Sequence, residues 1–404
     1  MTHPLKDKVV LLGVTGSIAA YKAVDLASKL TQSGALVDVI LTPAAEKFVS
    51  PLTFQSVTGR KTYTDADLWG GEGHVTHIGL GRHGDLLLIA PVTASTLAKL
   101  AHGIADNLLT VAALAAHCPL ALAPAMDAGM FDHPATQENL HILVARSAHV
   151  IGPVEGRMAS GLVGLGRFME PIDILGNVRW LMGQQEGRLK GKKVVITAGG
   201  TQEALDPVRY LTNRSSGKQG YAIAQAALDE GAQVVLISAP TALTPPAGAS
   251  QINIRSSAEM LDAVLRESAD ADALIMAAAV ADFRPAHTSR EKIKKSSASL
   301  TLELEATADI LYSIAGIREK TGYPKRVVGF AAETQALLEN AAAKLAAKKL
   351  DLIVANDVCA PDAGFEVDTN RVTLLFADGS NQSLDLMSKQ DVAAYLISIL
   401  VGWL

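Results

Sequence analysis

"GKKVVITAGGTQEALDPVRY", residues 191–210, decides the fold. A polar lead gives way to the apolar run Val194, Val195, Ile196 and then to Gly199 and Gly200. That order describes a first buried strand and the turn that follows it in a nucleotide-binding sheet. It belongs near the start of a domain. Yet the chain makes the same beginning at residue 6, with "KDKVVLLGVTGSIAAYK". Two beginnings imply two domains.

Composition agrees. A chain of 404 residues exceeds what one hydrophobic core usually supports. Hydrophobic residues make up 49% and aromatics 4%, so the cores must be packed mainly from Ala, Val, Leu and Ile. Those residues suit strands covered by helices on both faces. A net charge of −5 argues against a nucleic-acid partner. No apolar run approaches the ~20 residues that cross a bilayer, and no export pattern opens the sequence. Cys118 and Cys359 are too few for a disulfide framework and form no CxxC pair. The expectation is a soluble cytoplasmic protein without a membrane partner.

Outward from the two beginnings, short apolar runs alternate with helical patterns. The first unit predicts helix 17–33, strand 36–42, helix 45–57, strand 85–91, helices across 93–116, strand 119–125, helix 135–146 and a short strand at 149–151. The second predicts strand 193–197, helix 217–230, strand 233–238, helix 256–269 and strand 273–279. It continues with helix 308–319, strand 326–330, helix 335–349 and strand 351–356, then a hairpin in "RVTLLFADGSNQSLDL" and a final helix. The fold class is α/β: two tandem, doubly wound, Rossmann-like domains, the second with a small hairpin. The expected organisation is a domain at 1–182, a polar linker at 183–192 and a domain at 193–404.

Neither beginning suits a dinucleotide. "GVTGSIA" (13–19) is not GxGxxG, and the second strands end in Thr42 and Ser238–Ala239 without an acidic residue for a ribose. The turn Thr15-Gly16-Ser17 can hold one phosphate with backbone N–H groups and a hydroxyl, or it is an ordinary strand-to-helix turn. "SSGKQG" (215–220) mimics a Walker A motif but lacks its first glycine, and Gln219 stands where Ser or Thr should bind magnesium. It is not a P-loop.

Longer strings carry a resemblance. "DPVRYLTNRSSGKQG", "AAAVADFRP", "EKIKK", "GFAAET" and "DLIVAND" in the second half, with "GSIAAYK", "THIGLGRHGDLLLIAP", "GIADNLLT" and "APAM" in the first, resemble one bacterial family over nearly the whole chain. It is the bifunctional phosphopantothenoylcysteine decarboxylase / phosphopantothenate–cysteine ligase family of coenzyme A biosynthesis. The resemblance implies a ligase that joins 4'-phosphopantothenate to cysteine through an acyl-cytidylate, taking CTP to CMP and pyrophosphate with Mg2+. It implies a first half that decarboxylates 4'-phosphopantothenoylcysteine with FMN. There the thiol is oxidised to a thioaldehyde, which serves as electron sink; the ene-thiolate left by decarboxylation is then reduced.

Residue by residue, Lys292 matches the family's group for the triphosphate and the activation step. Pyrophosphate formation concentrates negative charge, so a lysine there makes chemical sense. On residue types alone "EKIKK" also reads as a solvated run, which Lys294 and Lys295 would fill. Asn213 matches the residue that binds the activated intermediate, and Arg209 one that assists the second half-reaction. Cytidine contacts map onto Met276, Ala277, Ala278, Asp282, Ala308, Asp309, Ile310, Leu311, Phe330, Lys344 and Lys348. No metal ligand is implied by name.

In the first half His77 matches the catalytic histidine, with His74 and His83 as competitors on chemistry alone. Gly16, Ser17, Thr42, Thr93 and Ser95 are the FMN contacts by position. Asp106 falls in the "GxxDNLL" stretch, where a contact or a helix start both fit. Cys118 reads as a small core residue. Two positions depart from the family. Asp127 stands where many members have an asparagine whose amide can donate to the substrate carboxylate; a protonated Asp127 could donate too, while an ionised one would repel. Ser160, in the flap "GRMASGLVGLGR", stands where many members have the cysteine that protonates the ene-thiolate. A thiol titrates near ~8.5 and a serine hydroxyl is far less acidic.

The leading expectation is therefore a working bifunctional enzyme. Its alternative keeps the ligase and makes the first half a catalytically weakened flavin-binding, regulatory or assembly module. The resemblance also implies a homo-oligomer, with trimer contacts in the first half and dimer contacts in the second, together a dodecamer.

Overall fold

The computed structural model describes residues 3–69, 76–294, 300–333, 337–357 and 367–404. It divides into two compact units, Thr2–Leu181 and Met182–Leu404.

The first unit runs β1 (Val9–Val14), α1 (Ala20–Gln32), β2 (Leu36–Leu41), α2 (Pro51–Thr58), β3 (Thr62–Tyr63), α3 (Thr76–His83), β4 (Leu86–Val92), α4 (Ala94–His102) and α5 (Leu108–Ala115). Then come β5 (Leu120–Pro124), α6 (Ala128–Phe131), α7 (Pro134–Ala145), β6 (His149–Val150), the ribbon β7 (Val154–Arg157) and β8 (Val163–Arg167), and α8 (Pro171–Glu186). Among the described residues six strands form one parallel sheet in the order β3-β2-β1-β4-β5-β6. Helices cover both faces, so β4 is buried along its whole length. α1 turns Ala20, Ala23, Leu26, Ala27 and Leu30 inward at helical spacing.

The second unit runs β9 (Lys193–Ala198), β10 (Gln202–Ala204), β11 (Tyr210–Thr212), α9 (Lys218–Asp229), β12 (Gln233–Ser238), β13 (Ser250–Asn253), α10 (Ser257–Glu267) and β14 (Ala273–Met276). It continues with β15 (Phe283–Pro285), β16 (Leu304–Ala306), α11 (Ile310–Thr321), β17 (Arg326–Glu333), α12 (Leu337–Ala347) and β18 (Leu352–Asp357). β19 (Thr369–Asn370), β20 (Val372–Phe376), β21 (Asn381–Ser383), β22 (Met387–Ser388) and α13 (Lys389–Trp403) close the chain. Its main sheet has the order β13-β12-β9-β14-β17-β18-β20-β21 among the described residues, parallel as far as β18. β20 and β21 join antiparallel as the expected hairpin.

Three expectations need correction. The helix expected at 45–57 is broken, because Pro51 cannot continue a helix and instead starts α2 behind the Ser50 cap. The strand expected at 273–279 stops at Met276, and the following backbone turns to meet the end of β9, with Ala278 N–H donating to Thr197 Oγ1 at 3.1 Å. The segment 183–192 is no open linker. It begins in the last turn of α8, and Arg188, Leu189 and Gln184 then bond Glu230 and Gly231 at the end of α9.

α9 lies tight on β9. A Cβ at Gly220 would come within 2.6 Å of Ala198 Cβ and 2.8 Å of the Thr197 carbonyl oxygen. Gly220→Ala should therefore cost about 1–3 kcal/mol of stability through overpacking, read from the urea midpoint of the second unit. Gly316, within α11, faces open space, and a Cβ there would meet nothing inside 4 Å. Gly316→Ala should act oppositely and stabilise by about 0.5–1 kcal/mol.

Candidate active sites

In each sheet the strand order reverses beside the first strand, between β1 and β4 and between β9 and β14. Open parallel sheets hold ligands at the carboxyl ends of such strand pairs. At the first reversal the buried Thr15 hydroxyl donates to Pro91 O at 2.8 Å and accepts from Thr93 N–H at 3.0 Å. This fixes the Thr15-Gly16-Ser17 turn beside Thr93, which caps α4 next to the exposed Ser95. Thr42, buried at the end of β2, bonds back to Val14 O. Asp106 is exposed and its carboxylate is paired with Lys99 at 2.7 Å, which holds it below the ordinary carboxylate range.

The three histidines separate. His74 lies outside the described residues. His83 is exposed and its Nδ1–H donates to Gly79 O at 2.7 Å, within its own helix. His77 is half-buried, and its Nδ1 is enclosed with no hydrogen-bond partner among the described residues. Cys118 is a half-buried thiol whose pKa burial pushes up, in keeping with a packing role.

The two departures from the family pattern are bonded to each other. Ser160 Oγ donates to Asp127 Oδ2 at 2.7 Å, across 33 residues of sequence. Asp127 also caps α6, accepting from Gly129 N–H at 3.1 Å. The β7–β8 ribbon is seated on this segment: Met126 N–H donates to Gly166 O at 3.0 Å, and Gly166 has φ 154° with no room for a Cβ against Met126 O. Arg167 is paired with Glu170, which also takes Lys22.

At the second reversal lies a cavity of about 430 Å³. Met276, Ala277, Ala278, Asp282, Ala308, Asp309, Ile310, Leu311, Phe330, Lys344 and Lys348 all line it, and so does Asn213. Lys348 pairs with Asp309 at 2.9 Å, so this lysine is built into the wall rather than part of a solvated stripe. Asn213 Nδ2 donates to Val280 O at 3.1 Å and more weakly to Ala279 O at 3.4 Å. Lys292 and Arg209 are not in the wall. Lys292 is exposed, and Arg209 turns to Asp206 at 2.6 Å and to Ile293 O at 2.7 Å. Lys295 lies outside the described residues.

Sequence reasoning missed part of the wall. Gly217, Lys218 and Gln219, from the rejected "SSGKQG" string, line the cavity with Asn356, Asn370 and Lys389. Lys389 is 4% exposed, and burial, with Lys218 nearby, lowers its pKa. The glycine before a helix was a readable signal. Lys389 offered none, since only the packing of α13 against α9 brings it there.

Comparison with known proteins fits this geometry. Residues 1–182 match the family described as Flavoprotein, and residues 189–403 match the DNA/pantothenate metabolism flavoprotein C-terminal domain. The coenzyme A biosynthesis bifunctional protein CoaBC of Bacillus subtilis (strain 168) is 48% identical over 391 residues, covering 96% of this chain and 95% of the relative. The chain belongs to the bifunctional coenzyme A biosynthesis proteins. CoaBC of Mycobacterium tuberculosis (strain ATCC 25618 / H37Rv) is 41% identical over 413 residues, covering 100% of this chain and 98% of that one. Among solved structures, the C-terminal domain of a CoaBC matches at 38% identity and TM-score 0.46, over 54% of this chain and 98% of that chain. The FMN binding protein AtHal3 matches at 36% identity and TM-score 0.40, over 44% and 97%.

Two carboxyls near the cavity of this CoaBC-family chain are held below the ordinary range. For Asp309 burial pushes upward, but Lys348 and the N–H groups of Tyr312 and Leu311 outweigh it. For Asp206 burial is likewise outweighed by Arg209 and three backbone N–H groups. A carboxyl depressed in the folded chain adds stability that is complete above its unfolded pKa of about 3.9 and is lost as pH falls through the folded value. The melting temperature should stay level down to about pH 4 and drop below it. Asp309→Asn should lower it at neutral pH and shrink the acid drop. A variant curve parallel to the parent at every pH would contradict the assignment.

Proposed function

We propose that the chain ligates 4'-phosphopantothenate to cysteine with CTP and then decarboxylates the product, 4'-phosphopantothenoylcysteine, to 4'-phosphopantetheine with FMN. The single observation that carries the ligase reading is a cavity that gathers every expected cytidine contact together with Asn213, though not the triphosphate lysine Lys292. Asn213 at its mouth would face the activated acyl group. Lys292, on an exposed segment, would meet the triphosphate as charge builds during pyrophosphate formation. Among the described residues no group of three His, Cys, Asp or Glu gathers as a metal centre. Mg2+ would arrive with the CTP phosphates, since it keeps waters and needs only one or two protein carboxylates.

In the first unit the Thr15–Ser17 turn, Thr42, Thr93 and Ser95 would hold FMN, with Asp106 near the same helices. FMN, when bound, supplies the two-electron exchange that makes the substrate's thiol carbon an electron sink. The enclosed, unpartnered Nδ1 of His77 supports a role as proton carrier in the early steps. The ribbon seated on 126–128 supports a cover that excludes water from substrate. Ser160, its hydroxyl donating to Asp127 Oδ2, would orient that carboxyl, and Asp127, after taking up a proton from solvent, would deliver the proton that the resemblance assigns to a cysteine thiol. The full-length match, with both family models in succession, favours two working halves over a weakened first half. A cytoplasmic homo-oligomer, a dodecamer, is carried over from the resemblance; exposed Val208, Tyr210 and Phe283 on the second unit, and Trp69 and Val163 on the first, are apolar side chains that contacts between copies would cover.

Mass spectrometry of products from phosphopantothenate, cysteine, CTP and magnesium tests the whole reading: phosphopantetheine should appear when FMN is bound. No pyrophosphate from folded protein would remove the ligase. A product two hydrogens lighter than phosphopantetheine would mean that reduction stalls, and the weakened-domain reading would replace this one.

Single variants divide the steps. Lys292→Gln should lower pyrophosphate release about 10²–10³-fold, to a small residual rate. Asn213→Asp should retain some release but process the intermediate poorly, and it should also lose stability, because a carboxylate would face the carbonyls of Ala279 and Val280. In the decarboxylase, Asp127→Ala and His77→Asn should each lose about 10²–10⁴-fold in rate. Ser160→Ala should lose about tenfold or less, the worth of one hydrogen bond to Asp127. Equal losses for Ser160→Ala and Asp127→Ala would refute this division.

A further inference from the structure

Asp206 does not line the cavity, yet its side chain is 0% exposed and fully engaged. Oδ1 accepts from the N–H groups of Val208 and Arg209, both at 2.8 Å. Those two bonds complete a local turn within "DPVR". Oδ2 looks elsewhere. It accepts from Arg209 Nε at 2.9 Å and Nη2 at 2.6 Å, and from the N–H of Ile293 at 3.1 Å, 87 residues away.

Arg209 completes the grip by donating from Nη2 to Ile293 O at 2.7 Å. Both peptide groups of Ile293 are thus held, one on each side. Upstream, Ser289 N–H donates to Leu205 O at 3.0 Å and Thr288 Oγ1 to Ala204 O at 3.1 Å. The segment 288–293 is laid along 204–209, and Lys292 rides on it, one residue before the clamped position.

We propose that Asp206 is a positioning residue of the ligase: with Arg209 it fixes the backbone at Ile293 and so presents Lys292 to the triphosphate. The turn alone would need only Oδ1. The second oxygen, committed to Ile293 and to the guanidinium that holds Ile293 O, serves the lysine segment. A charged side chain on an unanchored loop must lose its conformational freedom in the activation step itself, and anchoring the backbone beforehand removes that part of the barrier. Arg209 accordingly contributes to the first half-reaction, besides the second one implied by resemblance.

This rests on the ligase reading and on Lys292 as its activating lysine. The test uses the full chain and follows pyrophosphate release from phosphopantothenate, CTP and magnesium, without cysteine. Asp206→Asn preserves the shape and an acceptor for the turn but weakens the grip on Arg209 and Ile293. It should slow release about 10–100-fold in kcat while changing the CTP Kd by no more than about twofold. Amide exchange at Ile293 should accelerate.

The decisive readout is coupling. In a Lys292→Gln background, Asp206→Asn should reduce the residual rate by no more than about twofold, because the residue it positions is gone. Losses that multiply, or a CTP Kd that weakens in step with the rate, would overturn the positioning role. If Asp206→Asn does not fold, Arg209→Gln frees Ile293 O and carries the same coupling test. Absence of pyrophosphate from the parent would instead remove the ligase reading, and this role with it.

Discussion

In both units a buried threonine hydroxyl bridges the place where strand order reverses, and the sites are arranged around that bridge. Thr15, 1% exposed, joins the end of β1 to Pro91 and Thr93 after β4. Thr197 and Thr201, both 0% exposed, join β9 and its loop to Ala278 and Ala281 after β14. Parallel strands that diverge at a reversal leave backbone groups without a ladder partner, and buried orphans cost about 1–3 kcal/mol each. The hydroxyls satisfy those groups without filling the crevice as a longer side chain would. The carboxyl edge can therefore stay open and ordered.

From that edge the ligase wall follows by short steps. Once Ala278 and Ala281 are pinned, the carbonyls of Ala279 and Val280 fall to the Asn213 amide. Thr307 then bonds the same backbone, its hydroxyl to Ala281 O at 2.7 Å and its N–H to Asp282 O at 2.9 Å. Two residues on, Asp309 caps α11 and takes Lys348, the residue just past the end of α12. The wall is a relay of satisfied polar groups, so one change is felt by its neighbours. A change at Asn213 would release the carbonyls of Ala279 and Val280 and so reach beyond its own position.

What could be read from sequence follows the same physics. β1, β4, β9, β12 and β14 were legible because strands buried on both faces become continuous apolar runs. The ribbons β7–β8, β10–β11 and β15–β16 were not: their strands are only three to five residues long and largely exposed, too short for an apolar pattern to stand out. α8 was hidden by Gly176, Gly183 and polar residues in its last turns. Of the ligase wall, the residues in unusual strings were legible through resemblance. Asn370 and Lys389 were not, since a buried Asn or Lys has no local pattern and only the docking of distant elements brings them to the cavity.

The contact between Asp127 and Ser160 bears most on how far resemblance can be carried over. Taken singly, each departure from the pattern the resemblance implies would count against a decarboxylase: a carboxyl in place of a neutral amide, and an alcohol in place of a thiol. Together they form one hydrogen-bonded unit at the foot of the ribbon. An alcohol is too weak an acid to replace a thiol, but it is a good donor to a carboxylate oxygen and can hold that group in one orientation. With Gly129 N–H on its other oxygen, a carboxyl so held keeps a single orientation at the foot of the ribbon. The two positions are thus coupled in this chain, and the pair is the proper unit of comparison.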